Sequence, residues 1–321
     1  MRQISARHAV RNLRSIGEFA QWSFRDENSD SEGFESTRGD MAAGRVFREF
    51  TPNITPKFTL GTDAAVFTSG SCFAREIEFA LHSLGKTVLS WSPEEKLLGP
   101  DTFNRYNTFS VINDFRLADA GSYDEDLIWE TPLGWIDYSS NGVYPSREEL
   151  VAARKSSIEI HKRISQADVF VLTLGLVETW YDIKADTYLN FTPSEVLSSN
   201  LSRFECRVTD YDENVLAAKY LIKFLRDKFN PNLKVIITVS PVPLLVSFTG
   251  QDIVQANTFS KATLRAVAQK IEEEDELVDY FPSYEIVTMS DPNKAWLPDY
   301  RHVRRETVSR IMQTFIEHYL K

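Results

Sequence analysis

The chain has 321 residues, 42% of them apolar and 26% charged, which suits one large domain or a core with insertions and argues against disorder. Its net charge of -10 argues against nucleic acid as the main partner, because phosphate binding needs concentrated Lys and Arg. Its two cysteines, Cys72 and Cys206, belong to no clustered His/Cys pattern, so neither a metal site nor an organic cofactor is expected and the thiols read as reduced.

Residues 1–60 read as an irregular segment that wraps the outside of the core, with a polar loop over Asp26–Asp40 and prolines at Pro52 and Pro56. The stretch MRQISARHAVRNLRS lacks the apolar region of a secretory signal, and no window approaches the roughly 20 apolar residues of a membrane span, so a cytoplasmic protein is expected. Ala65-Val66-Phe67 is a short apolar run of buried-strand type, broken at Ser69-Gly70-Ser71-Cys72. Phe73, Ile77, Ala80, Leu81 and Leu84 follow at helical spacing, and Gly85 is placed to end that helix. Lys86–Trp91 reads as a second strand and Asn107–Leu117 as a helix. Leu127–Glu130 and Gly134–Tyr138 read as a hairpin within an insertion near 120–145.

Ser146 and Glu149 form a capping-box pattern at the head of an amphipathic helix running to about Gln166. Asp168–Leu174 is apolar on both faces, as a central parallel strand should be, and Gly175 ends it. An aromatic insertion covers about 176–209. A helix over Tyr211–Phe229, a strand over Leu233–Val239 and a helix over Thr258–Glu276 come next. Val278–Thr288 holds the last strand, placed chiefly at Glu285–Thr288, and a helix over His302–Leu320 closes the chain. Strands alternating with helices predict a parallel sheet of about five strands with helices on both faces, within a domain spanning 61–321.

Ligands of such sheets bind beyond the carboxyl ends of the strands. The residues expected there are Ser71 and Cys72, Gly175 with Glu178, Ser240, and Asp299 with His302. A hydroxyl or thiol at a strand-to-helix turn sits beside free N–H groups and a positive dipole end, as at a nucleophile elbow. An aspartate three residues before a histidine can fix the imidazole tautomer and support the imidazolium, so that His302 could deprotonate the nucleophile. Standing alone, the same pair reads as a helix cap with an incidental histidine.

Gly70-Ser71-Cys72-Phe73-Ala74 reads GSCFA in full, and the chain over roughly 60–320 resembles the GSCFA family named for that motif. Tyr106–Ser110, Thr173–Trp180, Thr238–Pro243 and Tyr280–Glu285 fit the same resemblance. The family looks like a branch of the SGNH (GDSL-type) hydrolase superfamily. The resemblance implies a three-layer α/β/α sandwich of flavodoxin-like type, with the first block supplying the nucleophile, the last the acid and base, and the middle blocks oxyanion donors.

The sequence departs from that superfamily twice. Where Gly-Asp-Ser is usual it has Gly70-Ser71-Cys72, which favours Cys72 as nucleophile with Ser71 close behind; a thiol at a helix N-terminus beside His can act as thiolate. Where Gly-x-Asn-Asp is usual it has Gly175-Leu176-Val177-Glu178, so the oxyanion Asn is missing. Asn107, with a backbone N–H from Gly175, could take that role, or Asn107 could simply cap its helix. Glu178 could orient neighbours or face solvent. Trp129, Trp135, Trp180 and Tyr181 could roof a sugar site or pack loops onto the core.

The expected function is hydrolysis of an O-acyl ester, on a small molecule or an acetylated carbohydrate, through Cys72 or Ser71, His302 and Asp299. The alternatives are an O-acyltransferase of the same fold and a carbohydrate-binding module that has lost catalysis.

Overall fold

The computed structural model describes residues 5, 46, 48–91, 103–123, 125–140 and 142–321. The expected loop over Asp26–Asp40 lies outside the described residues. Four parallel strands form the central sheet: β1 (Val66–Gly70), then β5 (Val169–Leu174), β9 (Lys234–Val239) and β10 (Val278–Tyr280), hydrogen-bonded in the order β1-β5-β9-β10. The helices that connect and cover them are α1 (Cys72–Ser83), α2 (Thr108–Ala120), α3 (Arg147–Lys162), α5 (Tyr211–Lys228), α6 (Ile253–Glu274), α7 (Ser283–Thr288) and α9 (Arg305–Tyr319). Two short helices, α4 (Ser194–Leu197) and α8 (Pro292–Ala295), lie in connections. Two small antiparallel sheets stand off the core: β2 (Ile128–Thr131), β3 (Gly134–Asp137) and β4 (Val143–Tyr144) in one; β6 (Glu178–Asp182), β7 (Thr187–Tyr188) and β8 (Phe204–Val208) in the other.

Alternation along the strands divides the interior in two. Phe170, Leu172 and Leu174 of β5 face one apolar cluster, shared with Phe115 of α2, Leu221 of α5 and Leu264 of α6. Val169 and Val171 face the other, shared with Ile77 of α1, Val287 of α7 and Phe315 of α9. The central strands are thus buried on both faces, which is why they read as continuous apolar runs. In the described part of the N-terminal segment, Phe50 N–H donates to Ser290 Oγ at 3.0 Å, and Leu60 bridges to Leu320.

The sheet has four strands where about five were expected; Lys86–Trp91 accounts for the missing one, and the last strand occupies only the first part of its expected span. Lys86–Trp91 makes only one parallel rung, Val66 with Val88, because the chain turns at once and Trp91 N–H bonds back to the Val88 carbonyl. Glu285–Thr288 is helical, and the strand lies earlier, at Val278–Tyr280. Pro282 explains this: it has no N–H for a ladder, and its carbonyl accepts from Ile286 N–H at 3.0 Å to open α7.

Smaller differences lie at helix ends. α3 is capped by Ser146 Oγ accepting from Glu149 N–H at 3.2 Å, and a 3₁₀ turn carries it on through Gln166. α6 begins at Ile253, capped by Asp252, five residues earlier than its apolar spacing indicates. α9 begins at Arg305, which leaves His302 in the preceding loop.

Candidate functional site

The chain bends sharply where β1 ends. Gly70 has a φ of 143°, and a Cβ there would overlap the Thr173 carbonyl oxygen, so the bend requires glycine. Arg105 N–H donates to the Gly70 carbonyl at 2.6 Å and draws the segment before α2 against the bend. Ser71 is buried and caps α1, its Oγ accepting from Phe73 N–H at 3.4 Å. Cys72, half-buried, opens the helix. Both residues line a cavity of about 240 Å³ beyond the carboxyl ends of β1, β5 and β9.

Gly175 and Glu178 reach the same cavity. A Cβ on Gly175 would overlap the Tyr106 carbonyl oxygen, which also accepts from Leu176 N–H at 2.7 Å, so two backbones touch here. Among the described residues the Gly175 N–H makes no hydrogen bond. Glu178 is an orienting group: its carboxylate accepts from Ser247 Oγ at 2.7 Å and from Phe248 N–H at 2.9 Å, which ties the loop after β9 to β6. Of the four aromatic residues expected as a roof, Trp180 lines the cavity, set edge-on to Phe248 at 5.2 Å between ring centroids. Trp129 and Tyr181 instead lie under Arg203 and Arg207, and Trp135 packs with the Tyr144–Leu150 cluster.

Asn107 does not line the cavity. Its side-chain oxygen accepts from Ser110 N–H and Ser110 Oγ, and its amide nitrogen donates to Thr179 Oγ1 and the Leu189 carbonyl, each at 3.0 Å. Both amide donors are spent on structure, so the capping reading describes it and the oxyanion reading does not.

Asp299 and His302 come together in the tight loop before α9. The carboxylate accepts from the backbone N–H groups of Arg301 and His302 at 3.0 Å, and its second oxygen lies 2.6 Å from His302 Nδ1. The hydrogen bond from His302 and these backbone donors hold the Asp299 carboxyl well below the usual carboxylate range. With Nδ1 bonded to a carboxylate, Nε2 is the acceptor, and Arg301 Nη1 lies 3.1 Å from it. The His302 side chain is 49% exposed and outside the cavity wall, whereas Arg301 is part of that wall. Arg301 therefore links the dyad to the cavity.

Sequence reasoning missed the most buried charge in the site. Lys261, 1% exposed on α6, lines the cavity and donates from Nζ to the Gly175 carbonyl at 2.9 Å. Burial pushes its ammonium down to about 7; the neighbouring Cys72 thiol works in the opposite direction and Arg301 adds to the depression. Its signal was present in the pattern. Lys261 occupies the stripe position completed by Leu264, Ala268 and Ile271, all buried. Ser240 also lines the cavity; it is 1% exposed and its Oγ has no hydrogen-bond partner, and the same is true of Arg301 Nε.

Among the described residues no group of three or more His, Cys, Asp and Glu side chains is placed to hold a metal ion, and no helix is long and apolar enough to cross a membrane. Compared with known proteins, residues 65–315 match the profile of the GSCFA family. No curated protein matches the chain.

Proposed function

The chain belongs to the GSCFA family, and we propose that it is an acyl-transfer enzyme of SGNH type, a cytoplasmic esterase that cleaves an O-acyl ester through Cys72, His302 and Asp299. The observation that carries this reading is the cavity itself. It is lined by Cys72, by Gly175, whose N–H makes no hydrogen bond among the described residues, and by Ser240, whose hydroxyl makes none, and Arg301 joins it to a carboxylate-oriented imidazole. Ser71 is the weaker candidate for nucleophile because its oxygen already serves as the α1 cap. The rung at Val88 supports the fold reading. Counted as a remnant strand, it makes the order of the parallel segments 2-1-3-4-5, that of flavodoxin-like sandwiches.

In this reaction the Cys72 sulfur attacks the ester carbonyl, and a C–S bond forms. Gly175 N–H and the Ser240 hydroxyl stabilise the oxyanion, in place of the absent Asn. The alkoxide leaves with the proton that the Cys72 thiol gave up, carried by the base of the site. Water then attacks the thioester and gives a proton to His302, which passes it to the departing sulfur, releasing the acid and the thiol. Asp299 holds the imidazole in the tautomer these steps need. The substrate is a small-molecule or carbohydrate ester. Transfer to a sugar hydroxyl instead of water is the second reading, favoured by the apolar wall of Trp180 and Phe248, which would shield a thioester.

The test is mass spectrometry after incubation with an activated acetyl ester. An acyl adduct on Cys72, persisting in the His302→Ala variant and absent in Cys72→Ala, is the expected result. An adduct on Ser71 moves the nucleophile by one residue. No adduct on either residue ends the enzyme reading and leaves a binding module. Products formed with and without a sugar acceptor separate hydrolase from transferase.

A further inference from the structure

We propose that Lys261 is a further catalytic residue of this site: its amine takes the Cys72 proton, so that the resting cavity holds a thiolate–ammonium pair. This rests on the reading of Cys72 as nucleophile. The S–H bond breaks as an N–H bond forms on Nζ, and no other reactant is needed.

Three observations carry it. First, a buried ammonium is costly without an anion beside it. Lys261 has a single hydrogen-bond acceptor, the neutral Gly175 carbonyl, which leaves two N–H groups unspent. Among the described residues Glu178 is the one carboxylate on the cavity wall, and it is occupied by Ser247 and Phe248. The group that interacts electrostatically with Lys261 and can supply negative charge is the Cys72 thiol. Second, the remaining groups favour an anion. Arg301 presents a buried Nε with no partner, and Ser240 a buried hydroxyl with none. Third, His302 is exposed with its Nε2 against Arg301 and does not line the cavity, whereas Lys261 lines it together with Cys72.

The charged and titratable groups around Cys72 are Lys261 from α6, Arg301 from the loop before α9, Glu178 from β6, Tyr106 from the segment before α2, and Arg75 on its own helix. Two of the three on other elements that carry charge are cations. Burial makes the Lys261 amine a weaker base than an ordinary lysine, so the pair depends on the mutual attraction of thiolate and ammonium within the cavity; the Arg301 charge favours the thiolate and disfavours the ammonium. In the acyl-transfer cycle this divides the proton work: Lys261 holds the thiol proton until the alkoxide leaves and then gives it to the alkoxide, and His302 takes the proton of the attacking water.

The experiment follows the rate of Cys72 alkylation by iodoacetamide from about pH 5 to about pH 10, against an ordinary thiol pKa of about 8.5. It is run in a Cys206→Ser background, because Cys206 is the other, exposed thiol. The expected midpoint lies at least about one unit below the ordinary value, and Lys261→Met raises it toward that value while Lys261→Arg restores it in part. A midpoint at or above about 8.5 in the Cys206→Ser protein with Lys261 intact, or no reaction at Cys72 at any pH, overturns the proposal even if the Lys261 variants fail to fold. The two readings fail separately. A low midpoint without any acyl adduct sinks the enzyme and keeps the pair; an adduct on Cys72 with an ordinary midpoint does the reverse.

Discussion

Two groups of buried charge lie on either side of the β1 bend, and they are built in opposite ways. In the first, Asp114 of α2 is paired with Arg105, with Arg154 of α3 at 3.9 Å and with His161 Nε2 at 3.5 Å, while Arg154 also reaches Asp137 and Ser139. Two carboxylates face two guanidiniums, and burial holds His161 below its usual pKa, toward the neutral form. Burial is the largest influence and would raise the Asp114 pKa, but the charge and hydrogen bond of Arg105 together with His161 and Arg154 outweigh it and hold the carboxyl below its usual value. In the second, Lys261 and Arg301 line a cavity whose one carboxylate among the described residues is occupied elsewhere, and Ser240 Oγ has no hydrogen-bond partner among them. Buried polar groups are nearly always satisfied from within. The first cluster is closed and ties α2 and α3 to the small β2-β3-β4 sheet. The second is open, and something other than folding must complete it.

The sharpest way to break this comparison is to remove one charge from each cluster. Arg105→Met takes from Asp114 its closest cation and leaves only Arg154 and His161 at longer range, and should destabilise the protein by about 3–5 kcal/mol in urea unfolding. A loss under about 1 kcal/mol would mean the cluster is not closed. Lys261→Met should act in the opposite sense and stabilise the fold by about 1–4 kcal/mol at pH 6, because the thiol left behind can keep its proton. The sign of its pH dependence follows from linkage. The folded pKa of Lys261, about 7, lies below its unfolded value of about 10.4. Between those values the unfolded chain holds more protons, so native stability rises with pH and the advantage of Met shrinks there. An advantage that grows with pH would refute the assignment. The smallest stability effect belongs to Asp299→Asn. Its side chain is 48% exposed, so unfolding should shift by no more than about 0.5 kcal/mol, while turnover of an activated ester falls on the order of 10²–10⁴-fold. Equal loss of both would make the dyad a structural turn.

Much of this architecture was legible before any coordinates. β5 and β9 were found because strands buried on both faces read as unbroken apolar runs, and Ser71, Cys72, Gly175 and Glu178 reached one cavity because each follows a strand of one parallel sheet. Lys86–Trp91 and Glu285–Thr288 misled because a short apolar run carries too few residues to distinguish a strand from a turn or a helix. Asn107 was ambiguous for a different reason. A cap and an oxyanion donor need the same side chain, and only the positions of Thr179 and Leu189 decide which it is.

From the order of its residues alone, the chain determined the alternation of strand and helix, the glycine bend at Gly70 and the local Asp299–His302 pair, since each depends on neighbours close in sequence. Only the tertiary structure decided that Lys261 faces Gly175 across 86 positions and that Arg301 stands between the imidazole and the cavity. Periodicity tells which stripe of a helix points inward; what a charged side chain on that stripe will meet is settled by how the layers stack.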